Sequence, residues 1–503
     1  MKKSFFSIGL LLCIASSISA QDEFDALKAS QMQLKGTARY MSMGGAFTAL
    51  GGDASAISLN PAGLGVYKSS ELTATLNVLN SSTSSSWNGL NSSDNSNIFA
   101  HFNNFSIVAT VPSQSSNFSS AFAFTFDRLK SFNRSGTIAG GSQNTSITDY
   151  IASRTNGIAE SALKDVSAYS NTSIPWLSEL GYEGYLINPS TSGTNQWTSL
   201  LNIGEKVAPS YSFTETGYID QYSLSYGANL SNTVYLGASI GWQSLNYALT
   251  SNYQETFGAG GSMNLQNEIY TTGSAFDFKV GIIVRPTDFL RIGAAYHTPK
   301  FYSMTDNYYS GLVYDTDYKG TTYTPDEGGY SKYKLQTPST YTVGIAGIIG
   351  KKGIISVDYQ YQDYSSTKYR DQNNDSFSFQ FENDGVKANL KGVNTIKVGG
   401  EFRATDKLSL RLGYNYISPA TKTDAYRQLA SNTVRTDTEY WLDVNTQNFT
   451  AGIGYRYNNW NFDIAYVLNN QKQNFYPYDD VSLKAASVTT KNSNIAFTIG
   501  LRY

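Results

Sequence analysis

About fourteen segments, each roughly ten residues long and alternating apolar with polar side chains, recur from Ser69 to the end of the chain. Successive side chains of a strand point to opposite faces, so each such segment has one apolar and one polar surface. The segments lie near Ser69 to Ser81, Phe102 to Val111, Phe118 to Arg128, Ile219 to Leu230, Thr233 to Tyr247, Ser274 to Arg285 and Asp288 to Thr298. A second set lies near Thr340 to Ile349, Gly353 to Tyr364, Asn394 to Arg403, Lys407 to Ser418, Asn448 to Tyr457, Trp460 to Leu468 and Asn494 to Tyr503. They pair through short links at Pro112 to Asn117, Ser231 to Asn232, Pro286 to Thr287, Gly350 to Lys352, Ala404 to Asp406 and Asn458 to Asn459, and every link between those pairs is long. An even strand number, with turns on one side and loops on the other, is how a chain winds through an outer membrane. A soluble β-sandwich has no reason to gather its long loops at one end. The fold expected is all-β: a transmembrane antiparallel up-and-down β-barrel of about 14 strands.

The apolar face must meet lipid, because Arg or Lys on the lipid face at the bilayer midplane costs about 2–4 kcal/mol. On Lys407 to Ser418 that face is Leu408, Leu410, Leu412, Tyr414 and Tyr416, which sends Arg411 into the lumen. The last strand repeats the pattern with Ile495, Phe497, Ile499, Leu501 and Tyr503. A terminal alternating strand ending on an aromatic residue resembles the signal read by the barrel assembly machinery of Gram-negative bacteria. That machinery and outer-membrane lipid are therefore expected partners. Composition agrees: charged residues are 15% of the chain and aromatics 14%, with 38 Tyr and 43 Gly. A mean hydropathy of −0.32 does not oppose a membrane barrel, whose lumen side is polar. With a net charge of −2 and no basic run, the chain offers nucleic acid no electrostatic footprint.

Residues 1–20 read as a secretory signal: Lys2 and Lys3, an apolar run to Ile14, and small residues before a cut after Ala20. The single cysteine, Cys13, falls within it, so the mature chain from Gln21 would carry no thiol, disulfide or thiolate metal site. The two histidines, His101 in an expected loop and His297 near the outer end of a strand, make no catalytic set. No metal-ligand spacing or cofactor motif is present, and the protein is not expected to be an enzyme.

Before the first strand stands a stretch unlike the rest, Gly36 to Tyr67, small, nearly uncharged and rich in Gly and Ala. Its glycines fit neither a Walker loop nor a dinucleotide fingerprint. They suit a compact coil with close backbone approach, ended by a turn at Asn60-Pro61. Residues 21–68 are therefore taken as a hatch inside a barrel of residues 69–503, whose longest loop is 129–218.

Gly36-Thr37-Ala38-Arg39, Met43-Gly44-Gly45-Ala46-Phe47, Asp53-Ala54-Ser55-Ala56 and Asn60-Pro61-Ala62-Gly63-Leu64 together resemble the hatch of the long-chain fatty acid transporter family. These are the FadL-type outer-membrane proteins, which include transporters of aromatic hydrocarbons. The resemblance implies that Gly44, Gly45, Asp53, Asn60, Pro61 and Ala62 form the hatch motif and that the mature start, Gln21 to Phe24, borders an inner pocket. It further implies that Phe118 to Arg128 is a kinked third strand, beside which a hatch shift releases ligand sideways into the membrane.

Capture of an apolar ligand is expected in the long loop, at Trp176, Leu177, Leu180, Tyr185, Leu186 and Trp197, with Phe24 at the inner pocket. These loop residues could equally form the loop's own core. For a carboxylate head, inward-facing bases such as Arg291 and Arg411 are candidates, although pairing with Asp277, Asp358, Glu401 and Asp463 would make them structural. The expected function is passive uptake of hydrophobic small molecules such as fatty acids. A polar-solute porin and a surface adhesin or binding protein are the alternatives.

Overall fold

The computed structural model describes residues 21–503 apart from 95, 112–116, 165–173, 317–318, 324–327, 351, 374, 376–378, 428 and 431–432. The signal sequence read at 1–20 and nearly all of the expected link at 112–117 lie outside the described residues. The chain closes into a 14-stranded antiparallel barrel. Its first half is β1 (Glu71–Trp87), β2 (Asn97–Val111), β3 (Phe118–Ser131), β4 (Val207–Leu230), β5 (Val234–Phe257), β6 (Ser262–Thr287) and β7 (Leu290–His297, continued as Phe301–Thr316). The second half is β8 (Gly329–Gln336, continued as Thr340–Ile349), β9 (Gly353–Asp363), β10 (Gly392–Arg403), β11 (Leu408–Ile417), β12 (Tyr440–Tyr457), β13 (Trp460–Tyr476) and β14 (Ala486–Arg502). Each strand pairs with its neighbours, and β14 returns to β1 from Glu71↔Arg502 to Ser86↔Ser487. Closure pairs the strand edges that lipid could not satisfy.

Every expected strand is present, with the expected facing. Leu410, Leu412, Phe497 and Ile499 are exposed outward, whereas Arg411, Asn415, Ala496 and Thr498 are buried inward. Ser231 and Asn232 both adopt positive φ, giving the tight link read there. One turn moves: Pro286 and Thr287 extend β6, and Asp288-Phe289 makes the link.

Several strands run well past their expected ends because the alternation inverts above the membrane. On β6 the outward residues Phe276, Phe278 and Val280 are apolar, yet farther up the outward positions are Asn264, Gln266 and Glu268 while Met263, Leu265 and Ile269 point inward and are buried. Once water replaces lipid outside, the apolar side faces in. β4 thus begins at Val207, inside the stretch expected as one loop, and that stretch also carries α4 (Ile147–Thr155), α5 (Trp176–Glu183) and a hairpin of Ile187–Pro189 with Trp197–Ser199.

The hatch fills the lumen with α1 (Glu23–Ser30), α2 (Ala38–Ser42), α3 (Ala54–Leu59) and a 3-10 turn (Pro61–Val66). Each short element is capped by the residue before it: Thr37 accepts from Tyr40 N, Asp53 from Ser55 N, and Asn60 from Ala62 N, with Pro61 at the first position of its turn. The wall opposite is stripped of side chains. Gly227, Gly237 and Gly281 are register partners on β4, β5 and β6, and a Cβ on any of them would lie under 3.0 Å from Leu64, Pro61 or Asn60. Gly399 and Gly413 pair across β10 and β11 and meet Met43 and Gly44 in the same way. Overpacking of this kind costs typically about 1–3 kcal/mol, more where backbone opposes backbone. The expectation is that Gly237→Val leaves a barrel that still migrates as folded, heat-modifiable protein but has a dislodged hatch, raising single-channel conductance in planar bilayers. Gly347→Ala, which points into open space, leaves conductance unchanged.

Candidate functional site

Above the hatch lies a cavity of about 360 Å³, roofed by α1 and the extracellular cap. Apolar side chains on one side are Leu27 and Met32 of the hatch with Leu129, Phe132, Phe213 and Leu249 of the wall. Charged groups interrupt that surface. Lys28 donates to the Tyr247 hydroxyl at 2.6 Å and pairs with Glu215 at 3.1 Å, which also binds Arg134. Lys130 is buried and donates to the carbonyl of Lys28 at 2.6 Å. Among the described residues it has no carboxylate partner, and the same holds for Lys35, whose Nζ lies 3.0 Å from His101 Nε2.

The cavity reaches the barrel wall through Leu34, Lys35, Asp127 and Leu129. Here the wall is incomplete. The β2–β3 ladder stops at Asn104↔Asp127; above it β2 pairs only with β1, and β3 pairs only with β4, with a register shift between Arg128 and Lys130. The phenyl rings of Phe102 and Phe126 lie 6.0 Å apart across this gap. Behind them the hatch is tied to both edges: Asn103, bulged out of the β1 register, donates to Gly36 O at 2.8 Å, and Gln33 N donates to Leu129 O at 3.1 Å. His101 is thus a strand residue at this window, not the loop residue expected. The expected strand began one residue later, at Phe102, whereas the strand starts at Asn97, and the hatch lysine at the His101 ring is distant in sequence.

Two ionic tiers hold the hatch. At the bottom Arg39 pairs with Glu401 at 2.9 Å, and Arg411 bridges Glu401 at 2.6 Å to Asp463 at 2.5 Å. At the top Asp22 pairs with Arg427, Asp25 pairs with Arg435, and Asp437 joins both arginines. Phe24 stacks on Tyr440 at 5.6 Å, and Gln21 donates to Asp306 at 3.1 Å. Arg427 and Arg435 belong to the stretch 418–439, which also closes the cap: Trp176 N donates to Thr433 O at 3.0 Å, and Arg154 donates to Leu429 O at 2.8 Å.

A sequence profile of the outer membrane protein transport proteins (OMPP1/FadL/TodX) matches residues 219–503. The chain belongs to this family. Its members are outer-membrane transport channels for hydrophobic compounds, and this member is an outer-membrane barrel of that kind. Solved structures share the fold. A Pseudomonas aeruginosa FadL homologue, 12% identical, aligns over 94% of this chain and 99% of its own with a TM-score of 0.54. The Ralstonia pickettii toluene transporter TbuX, 13% identical, aligns over 93% and 99% with a TM-score of 0.51. No curated protein sequence matches the chain.

The sequence-derived site residues separate into three groups. Phe24 lines the cavity. Trp176, Leu177, Leu180, Leu186 and Trp197 are buried in the core of the cap, and Tyr185 alone of that set is exposed. Arg291 donates to Leu50 O at 2.6 Å and Arg411 sits in the lower ionic tier; both secure the hatch outside the cavity lining. Lys279 pairs with Asp277 at 3.5 Å, as facing suggested, whereas Asp358 accepts from Thr48 N at 2.8 Å. The Asn60-Pro61-Ala62 turn meets β5 and β6, with Asn60 donating to Thr48 O at 2.7 Å and Ile282 O at 3.3 Å. Contact with the third strand comes from Ser58, which donates to Asp127 at 2.5 Å, and from Ile57, Leu64 and Tyr67, which pack with Ala121 and Ala123. Lys28, Lys130, Arg427 and Arg435 had no periodic signal; only the Arg427-to-Asp437 run of opposite charges in a polar loop hinted at them.

Glu23 at the start of α1 is buried, accepts from Asn389 Nδ2 at 2.5 Å, and is pushed up from 4.5 to about 8 by desolvation, with the Asp22 carboxylate adding to the rise. Its docked form therefore holds more protons than its free form between those values. The contribution of Glu23 to docking of α1 is fully present below pH 4.5 and is lost as pH rises through about 8. Amide exchange of residues 23–30, corrected for intrinsic rates, should accelerate over that window in the native chain, and Glu23→Gln should flatten the response.

Proposed function

We propose that the protein passively carries hydrophobic small molecules bearing an acidic head, long-chain fatty acids foremost, into the outer membrane. The observation that carries this reading is that one cavity joins an apolar surface and a buried lysine without a carboxylate partner to a gap in the barrel wall. Capture begins at the cap, where Tyr185 is exposed over the core made by Trp176, Leu177, Leu180, Leu186 and Trp197. The ligand then lies along Phe24, Leu27 and Met32 with its carboxylate at Lys130. Exit is sideways, between β2 and β3, when the segment from Gln31 to Gly36 withdraws. Gly44, Gly45, Asp53 and the Asn60-Pro61-Ala62 turn keep the axial route shut, and Met41, Met43, Phe47 and Leu64 in this plug are fully buried. A lipophile on this path never meets bulk water, and no energy source is required.

Labelled oleate uptake into cells that lack their own fatty acid transporter tests the reading. The native chain should confer uptake. A chain lacking residues 36–65 should insert but leak small polar solutes and lose selective uptake; unaltered selective uptake by that deletion sinks the hatch role. Lys130→Gln should weaken oleate binding about tenfold, the factor expected when a hydrogen bond to a charged group is lost. Equal affinity would place the carboxylate elsewhere.

A further inference from the structure

The cavity has two unlike walls, and we infer that beside straight-chain acids it takes acids with two unlike faces: a rigid apolar skeleton carrying hydroxyl groups along one side. This rests on the transport reading above and extends its substrate class.

The apolar wall comes from β3 to β5. Seven strands farther round a ring of 14, and hence diametrically across from β4, stands β11. From β11 to β14 the cavity is lined by Ile417, Trp441 and Val467 and by a row of four amides, Asn415, Asn448, Asn469 and Asn492, which are direct register partners, Asn415↔Asn448, Asn448↔Asn469 and Asn469↔Asn492. At about 4.8 Å between strands they make an amide row roughly 14 Å wide. In the row above, Thr446 and Gln471 are likewise partners and line the same space. Neither set of residues is ionisable.

The row is only partly satisfied from within. Asn492 donates to Asn469 at 3.2 Å and Asn469 to Asn448 at 2.9 Å, while Asn415 donates away to Gly44 O at 3.3 Å. The side-chain oxygens of Asn415 and Asn492 are buried without a partner, although Asn415 is 3% exposed. Side-chain amides offer both donor and acceptor, as a hydroxyl does, whereas a methylene offers neither. A straight acyl chain would satisfy the apolar wall and leave the amide row unused along its length. Hydroxyls on one face of a flat hydrocarbon would meet both walls together.

The test uses the full mature chain in lipid nanodiscs, with quenching of tryptophan fluorescence as readout, since Trp441 lines the cavity. The probes are 5β-cholanate, deoxycholate and cholate, which share one ring skeleton and one carboxylate and carry no, two and three hydroxyls, with oleate as reference. Affinity should rise with hydroxyl number, by about tenfold from the first to the last, against the order of their hydrophobicity. The double variant N448L/N469L should abolish the preference and leave oleate binding intact. Should that variant fail to assemble, Asn469→Leu alone should reduce the preference. Binding of 5β-cholanate equal to or tighter than that of cholate, with oleate bound, overturns this inference and spares the transport reading. Failure of all four to bind overturns both.

Discussion

Where the hatch backbone comes nearest the barrel, on β4 to β6 and on β10 and β11, the wall carries glycines that leave room for it, and the behaviour of the molecule rests on that contact. Pro61 lies against Gly237 and Met43 against Gly399, backbone nearly on backbone, and the side-chain amide of Asn60 lies against Gly281. Close packing of this kind lets the hatch sit directly on the wall, because each contact is short and the glycines interpose no side chain of their own. It also fixes the hatch's height, since the small residues form register-matched rows and a slide along the axis would bring the plug against larger neighbours. A barrel of 14 strands would otherwise enclose water; this one encloses protein up to the level of the cavity.

That seating divides the hatch into two parts held by different forces. From Thr37 to Tyr67 it is held by steric fit and by the lower ionic tier around Arg39 and Arg411. From Gln21 to Ser30 it is held by the upper tier, where Arg427 and Arg435 meet Asp22, Asp25 and Asp437. A buried charge pair contributes little net stability when whole but is costly to break by halves, so the upper tier behaves as one unit. Between the tiers runs the short segment that closes the β2–β3 window. The segment Gln31 to Gly36 thus joins α1 directly to the window, and in the mechanism proposed above it withdraws while the plug below stays where it is.

Much of this was legible in the chain, and the parts that were not share a cause. Strand positions and facing followed from alternation because lipid imposes one rule on every strand it touches. The same reading stopped short on β4, β5 and β6, where the outer side turns to Asn, Gln and Ser and the apolar side turns inward. Alternation persists there with its phase reversed. The hatch was visible as a change in composition, and its capping residues Thr37, Asp53 and Asn60 stand where short helices need them. Its partners on the wall were not visible, because glycine at an inward position looks the same whether it faces water or Pro61. Arg411 could be placed inside by facing alone, but its pairing with Glu401 and Asp463 depends on register across several strands.

The placement of charge completes the argument for a lateral path. Around the gap Arg128 is bound to Asp220 at 2.8 Å and Asp127 to Ser58 and Asn104, which satisfies part of the window's edge where the ladder is open, while among the described residues His101 Nδ1, Asn103 Oδ1 and Asn104 Oδ1 are buried without a partner. Unsatisfied backbone facing lipid would be expensive, and an opening in the wall persists only where side chains or the hatch take the place of the missing strand bonds. Gln33 of the hatch does so on β3, donating to Leu129 O and Ser131 O and accepting from Ser131 N, while Asn103 of β2 donates its side-chain amide to Gly36 O. Because the hatch supplies part of the window's hydrogen bonding, the lateral exit proposed above requires that these bonds break as the hatch segment withdraws. Access to the gap and stability of the gap are in this way set by the same few residues.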